Sequence, residues 1–200
     1  MRLVRTLPLV AAAMLAAVPT ASTAQVGRKL EEVRGEDFWT FFGFQPTGPA
    51  TVVDDGTTVE FRPRAERFAP LVRVKLAVDS TGTIREMELA ISREFVDDPT
   101  NGIFARDVVK SFVRAAMPAD DLPDVETLAN EIQFPREDAP GTTTVRATPA
   151  PALPAQATPP YRVYLGRDAE WSRTLEASTI RLRNGQGEGG AVLVLTVAAR

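Results

Sequence analysis

The segment Leu71–Ser92 most narrows what this chain can fold into. Two alternating runs, Leu71–Val78 and Thr83–Ser92, flank Asp79-Ser80-Thr81-Gly82. Asp opens such a turn by accepting backbone hydrogen bonds, and Gly takes the positive φ that ends it. Setting Val78 opposite Thr83 places Val74 against Met87 and Val72 against Leu89 on one apolar face. The other face then pairs Arg73 with Glu88 and Lys75 with Glu86, each pair contributing roughly a few tenths of a kcal/mol. A slip of one residue would exchange the two faces, so the apolar face fixes the register. Leu76 opposite Arg85 breaks the pattern and calls for a bulge or an edge position. A hairpin with one apolar and one charged face needs a covering layer on one side only, which is the arrangement of an antiparallel α+β sheet.

The covering layer follows directly. Ile103, Phe104, Val108, Phe112, Val113, Ala116 and Met117 recur at three- and four-residue spacing. Arg106, Asp107, Lys110 and Arg114 take the opposite face of the same helix. Asp97-Asp98-Pro99-Thr100-Asn101-Gly102 is its lead-in and Pro118 stops it. A second stripe, Leu122, Val125, Leu128 and Ile132, predicts a shorter helix with Pro123 in its first turn.

Further strands are expected on both sides. Ala50–Val53 and Thr57–Arg62 flank the turn Asp54-Asp55-Gly56. Tyr161–Leu165, Leu175–Arg183 and Ala191–Ala199 read as three later strands, the last two joined by the Gly-rich loop Asn184–Gly190. Residues 138–160 hold six prolines among Ala and Thr and cannot form a core. They are expected to be a long loop inside one domain, because the strands after them cannot fold alone. The fold class is therefore α+β. A mostly antiparallel sheet of about five to seven strands packs one face against two helices.

Residues 1–24 read as a secretory signal peptide. Arg2 and Arg5 precede an apolar stretch from Leu7 to Val18, and Ser22-Thr23-Ala24 offers a cleavage site after Ala24. A dozen apolar residues fall short of the roughly 20 that span a bilayer. Cleavage would leave a single domain at 25–200 in the periplasm or outside the cell, with no membrane span. Loss of Arg2 and Arg5 takes the net charge from −3 to −5. That acidic balance argues against nucleic acid, which needs a basic footprint.

Composition excludes much chemistry. The chain has no Cys and no His. Thiol nucleophiles, disulfides, thiolate or imidazole metal sites and Ser-His-Asp triads are all absent. The run Asn184–Gly190 lacks the following helix that a phosphate loop needs. Asp97, Asp98 and Asn101 lack the spacing of a calcium loop and suit a helix lead-in better. Glu86 and Glu88 share a strand face, yet each has a basic partner, so no catalytic pair stands out. No catalytic residue, cofactor or metal ligand is assigned.

Two groups remain as candidate contacts. Phe38, Trp39, Phe41, Phe42 and Phe44 fill five of seven positions. They either pack onto the core or cap an open end of the sheet, or they form an exposed hook for a partner or a membrane surface. Arg181 and Arg183 share one face of a strand and are a candidate anion contact. Residues 97–138 hold ten acids and four bases, whereas residues 139–200 hold four acids and seven bases. This asymmetry reads either as attraction within the domain or as a docking strip. The order strand, Asp-x-x-Gly turn, strand and helix over residues 71–117 resembles the C-terminal domain of TonB-type energy transducers. A transducer places its Pro-rich spacer before that domain and keeps its membrane anchor; here the Pro-rich stretch follows and the leader reads as cleavable. The family is not adopted. The functional expectation is an exported, non-enzymatic interaction or adaptor module of the cell envelope. The alternative is a small-ligand or lipid-binding protein with its site between sheet and helices.

Overall fold

The structure, a computed structural model, describes residues 25–54, 56–132 and 158–200. The expected leader and most of the Pro/Ala-rich loop lie outside the described residues. Two short helices, α1 (Leu30–Val33) and α2 (Asp37–Phe41), open the described chain. Five strands follow: β1 (Phe44–Pro46), β2 (Thr51–Val53), β3 (Gly56–Pro63), β4 (Val72–Asp79) and β5 (Ile84–Ser92). The helical layer is α3 (Arg93–Asp97), α4 (Gly102–Ala116), a 3-10 turn at Ala119–Asp121, and α5 (Leu122–Glu131). Then come α6 (Pro159–Tyr164), β6 (Glu170–Thr174), β7 (Ser178–Gly187) and β8 (Gly190–Ala199). Among the described residues the strands form one antiparallel eight-stranded sheet. Its order is β1-β3-β4-β5-β8-β7-β6, with β2 also on β3. The protein is α+β, as its patterning predicts.

The central hairpin forms with its faces as expected and its register moved by two. Val74 lies opposite Leu89, Leu76 opposite Met87 and Lys75 opposite Glu88. Arg73 faces Ala90 rather than Glu88. The cause is at the turn: Val78 pairs with Ile84, and a bulge between Ala77 and Val78 leaves Arg85 out of the ladder. The misfit of Leu76 with Arg85 disappears by this route. A shift of two preserves which side chains face the core, so the apolar face survives the change. Asp79 then organises the turn by accepting from Thr81 and Thr83 backbone N–H groups at 2.9 and 3.0 Å and from the Thr81 hydroxyl at 2.7 Å.

On the core side, Val72, Val74, Leu76 and Val78 of β4 are buried with Met87 and Leu89 of β5 and Leu193, Leu195 and Val197 of β8. Ala105, Val108, Phe112, Val113 and Ala116 of α4 and Val125 and Leu128 of α5 close over them. Packed side chains occupy the interval between sheet and helices. Asp121, itself buried, ties the two layers at one corner. It accepts from the Ser178 hydroxyl at 2.5 Å and from the Ala177 N–H at 3.1 Å.

Several expectations are corrected. Tyr161–Leu165 is helix, not strand: Pro159 and Pro160 sit in the first turn of α6, where a missing N–H costs nothing and a fixed φ favours the helix. Tyr161 and Tyr164 stack one turn apart at 5.8 Å, and Val163 is buried. The alternation of Tyr161, Val163 and Leu165 mimicked a strand. Ile103 is exposed rather than part of the buried stripe, because helical spacing sets it on the face of Arg106, Asp107 and Lys110. The loop Asn184–Gly190 shrinks to Glu188-Gly189, since β7 and β8 stay paired as far as Gly187 and Gly190. Gly190 holds φ +120°, which a side chain would oppose. β1 and β6 are additional strands, and β7 begins at Ser178 rather than Leu175.

Candidate functional site

The aromatic segment divides. Phe38, Trp39, Phe42 and Phe44 are buried, while Phe41 is 77% exposed. Helical spacing explains the split: Phe38, Trp39 and Phe42 share one side of α2, and Phe41 points away from it. Phe38 touches the rings of Trp39, Phe42, Phe44 and Phe112, with centroids 5.1 to 6.1 Å apart. Trp39 lies 4.8 Å from Phe61, which joins α2 to the sheet. As an exposed hook the five aromatics reduce to Phe41.

Phe41 stands at the mouth of a groove of about 750 Å³ between α2 and α4. Phe38, Phe42 and Ala115 supply apolar walls, and Asp37, Ser111 and Arg114 are among its polar lining. Glu36, also in the lining, is held by Arg28 and by the Gln25 amide at 3.1 Å. Arg114 is held by Glu126 through two hydrogen bonds of 2.7 and 2.9 Å. These bonds hold the Glu126 carboxyl below its ordinary range. The exposed carboxylate of Asp37 makes no ion pair among the described residues, so the groove presents one unspent negative charge beside its apolar walls.

The opposite face of the sheet is charged. One row across it runs Glu60, Lys75, Glu88, Thr196, Arg181 and Ser172, and the next contains Arg73, Ala90, Val194, Arg183 and Glu170. Arg181 and Arg183 therefore share this open face, turned away from the helices. Arg183 reaches across β8 to Glu88 at 3.5 Å. Burial pushes the Glu86 carboxyl up and repulsion from Glu88 adds to this, with Arg181 and Arg183 opposing. Glu60 lies within reach of three cations: Arg62 at 3.0 Å, and Arg73 and Lys75 at 4.0 Å each.

At one end of this face the tip of the β7–β8 hairpin leans over it. Glu188, in the two-residue turn, binds the Arg62 guanidinium on β3 with both carboxylate oxygens, at 3.1 and 3.2 Å. The contact crosses three strand spacings, about 14 Å at 4.8 Å each. Burial works against the charge on Arg62, but its bonds to Glu188 and Glu60 outweigh burial and keep it firmly protonated. Beneath the tip is a recess of about 200 Å³ that Arg62, Arg73 and Ser92 line. The Arg73 Nε is buried without a hydrogen-bond partner. Sequence reasoning missed Arg62 and Arg73 as members of a site. Their meeting with Glu188 spans 126 positions, and no local pattern announces it.

The class that fold and surface define is an α+β protein with one face of its sheet under helices and the other face charged and, among the described residues, without a helical cover. No protein-family model, curated protein or solved structure matches the chain. No helix among the described residues is long and apolar enough to cross a membrane.

Proposed function

We propose that this is an exported, non-enzymatic binding module of the cell envelope, and that it docks a partner through the α2–α4 groove. The observation that carries the reading is Phe41, 77% exposed beside a groove of about 750 Å³ while its four aromatic neighbours are buried. The exposed ring continues the apolar walls of the groove, and contiguous apolar surface of this kind marks contact sites. The unpaired Asp37 beside it selects the partner's chemistry: an apolar side chain for the groove with a basic residue next to it. Export rests on the leader pattern of residues 1–24.

Two measurements test this. Fractionation of cells expressing the full chain, with intact-mass analysis, should find a product beginning at Gln25 in the periplasm. Full-length product retained in the cytoplasm would overturn the export reading. Panning a displayed random-peptide library against the protein should enrich apolar-basic peptides that lose binding to Phe41→Asp. The basic preference should weaken with Asp37→Asn. Enriched peptides that bind Phe41→Asp as well as the unaltered protein would refute the groove as the docking surface.

A further inference from the structure

We infer that the recess beneath the β7–β8 tip is a binding site for a short-chain monocarboxylate, with Arg62 and Arg73 holding the anion and Glu188 as a tethered carboxylate that occupies its place. This site lies on the open face of the sheet, remote from the α2–α4 groove, and does not depend on that groove's role.

Four observations converge. First, the structure already shows a carboxylate on Arg62: both Glu188 oxygens sit 3.1 to 3.2 Å from its Nη2. A free carboxylate meets the same donor without new geometry. Second, the Arg73 Nε is buried with no hydrogen-bond partner, its ion pair to Glu60 standing at 4.0 Å. Arg73 lines the recess, so a ligand oxygen there meets a guanidinium whose own ion pair is long. Third, Glu60 is shared among Arg62, Arg73 and Lys75, so the cluster calls for a second anion. Fourth, the anion now present is held loosely. Glu188 is 75% exposed in a two-residue turn, and an exposed ion pair contributes little to stability.

The lining sets the rest of the ligand. Leu71, Val72, Ala90 and Val192 give the recess an apolar side, suited to an alkyl chain. Its volume of about 200 Å³ equals six or seven waters at roughly 30 Å³ each, room for about four carbons and a carboxylate. Glu94 stands exposed at the rim and repels a second carboxylate, which favours monocarboxylates over dicarboxylates.

Butyrate is the probe, titrated into the isotope-labelled full chain at constant ionic strength and followed by amide and arginine Nε–H resonances. Saturable shifts at residues 71–73, 90 and 187–192 are expected, with chloride producing none. Removing the tethered competitor in Glu188→Gln should tighten butyrate binding about tenfold. In that background, Arg73→Lys and Arg62→Lys should each return the affinity to the unaltered level or below. Succinate should bind more weakly than butyrate. Thermal melts of each variant accompany the titrations, and Glu188→Gln should melt close to the unaltered protein because its pair is exposed. Equal butyrate affinity with and without Glu188 would overturn the inference. So would tight binding that survives both arginine substitutions, or the absence of saturable shifts in Glu188→Gln.

Discussion

The Trp39 indole N–H donates to the Gln25 side-chain carbonyl at 3.0 Å in the protein interior. Gln25 is buried and passes the connection on, its amide donating to Glu36 at 3.1 Å. The segment ahead of α1 is thus fixed to α2 by a polar contact between layers of aromatic rings. Gln25→Ala would leave the indole N–H unsatisfied where water cannot reach it. The expected loss is about 1–3 kcal/mol. Urea unfolding measures it, and a double-mutant cycle with Trp39→Phe should show that the two losses do not add. Additive losses would mean that the bond contributes nothing of its own.

Gly102 sets two physical preferences against each other. Ala is the better helix former by about 1 kcal/mol inside a helix. At Gly102, however, an added Cβ would come within 2.8 Å of the Val96 carbonyl oxygen. That atom belongs to the backbone of the last turn of α3 and cannot swing aside. Overpacking of this kind costs about 1–3 kcal/mol, so Gly102→Ala should destabilise despite its propensity. Thermal unfolding decides the sign; a raised melting temperature would show that the α3–α4 corner yields.

What the sequence made legible follows from range. The alternation in Leu71–Ser92 and the stripe in α4 are local, and both give the right faces. The misfit of Leu76 with Arg85 calls for a bulge, but not for its place; it falls beside the turn, between Ala77 and Val78, and so shifts every pair beyond it. The same arithmetic placed Arg73 opposite Glu88, whereas the structure sets it opposite Ala90, within reach of Glu60 on β3. Arg181 and Arg183 fall on the open face as period two requires. The recess beneath the β7–β8 tip has no such local signal, because β3 and the β7–β8 turn meet only through the order of the whole sheet. α6 reads as a strand for another reason: six residues are too few to separate a period of two from one of 3.6, and two prolines look like loop until they open a helix.

Asp79 should govern part of the acid stability. The Thr81 hydroxyl and the Thr83 N–H hold its carboxylate well below the ordinary value of 3.8, with Arg85 assisting at 2.7 Å. A carboxyl depressed in the folded state gives its stabilisation in full above the unfolded value. It loses that stabilisation as pH falls through the range below 3.8. Asp98, held down by the Asn101 backbone and side chain, acts in the same direction. Asp79→Asn should therefore be less stable than the unaltered protein at neutral pH, with the two stability curves converging as pH drops below about 4. Parallel curves between pH 2 and 6, within the span where carboxylates titrate, would show that Asp79 does not titrate with folding.

Phe41 and Phe42 are neighbours with opposite obligations. Phe42 is buried and packs against Phe38 at 5.8 Å and Phe104 at 5.6 Å. Its removal opens a cavity between α2 and α4, and Phe42→Ala should cost about 3–5 kcal/mol. Phe41 meets only the edge of Phe42, at 5.0 Å, and otherwise faces solvent. Phe41→Ser should change stability by no more than about 0.5 kcal/mol, the usual range for an exposed position. The comparison separates docking from folding at adjacent residues. If Phe41→Ser keeps its unfolding midpoint yet loses the apolar-basic peptides, the exposed ring serves recognition alone. If it unfolds as readily as Phe42→Ala, the ring belongs to the core and the groove loses its claim to a partner.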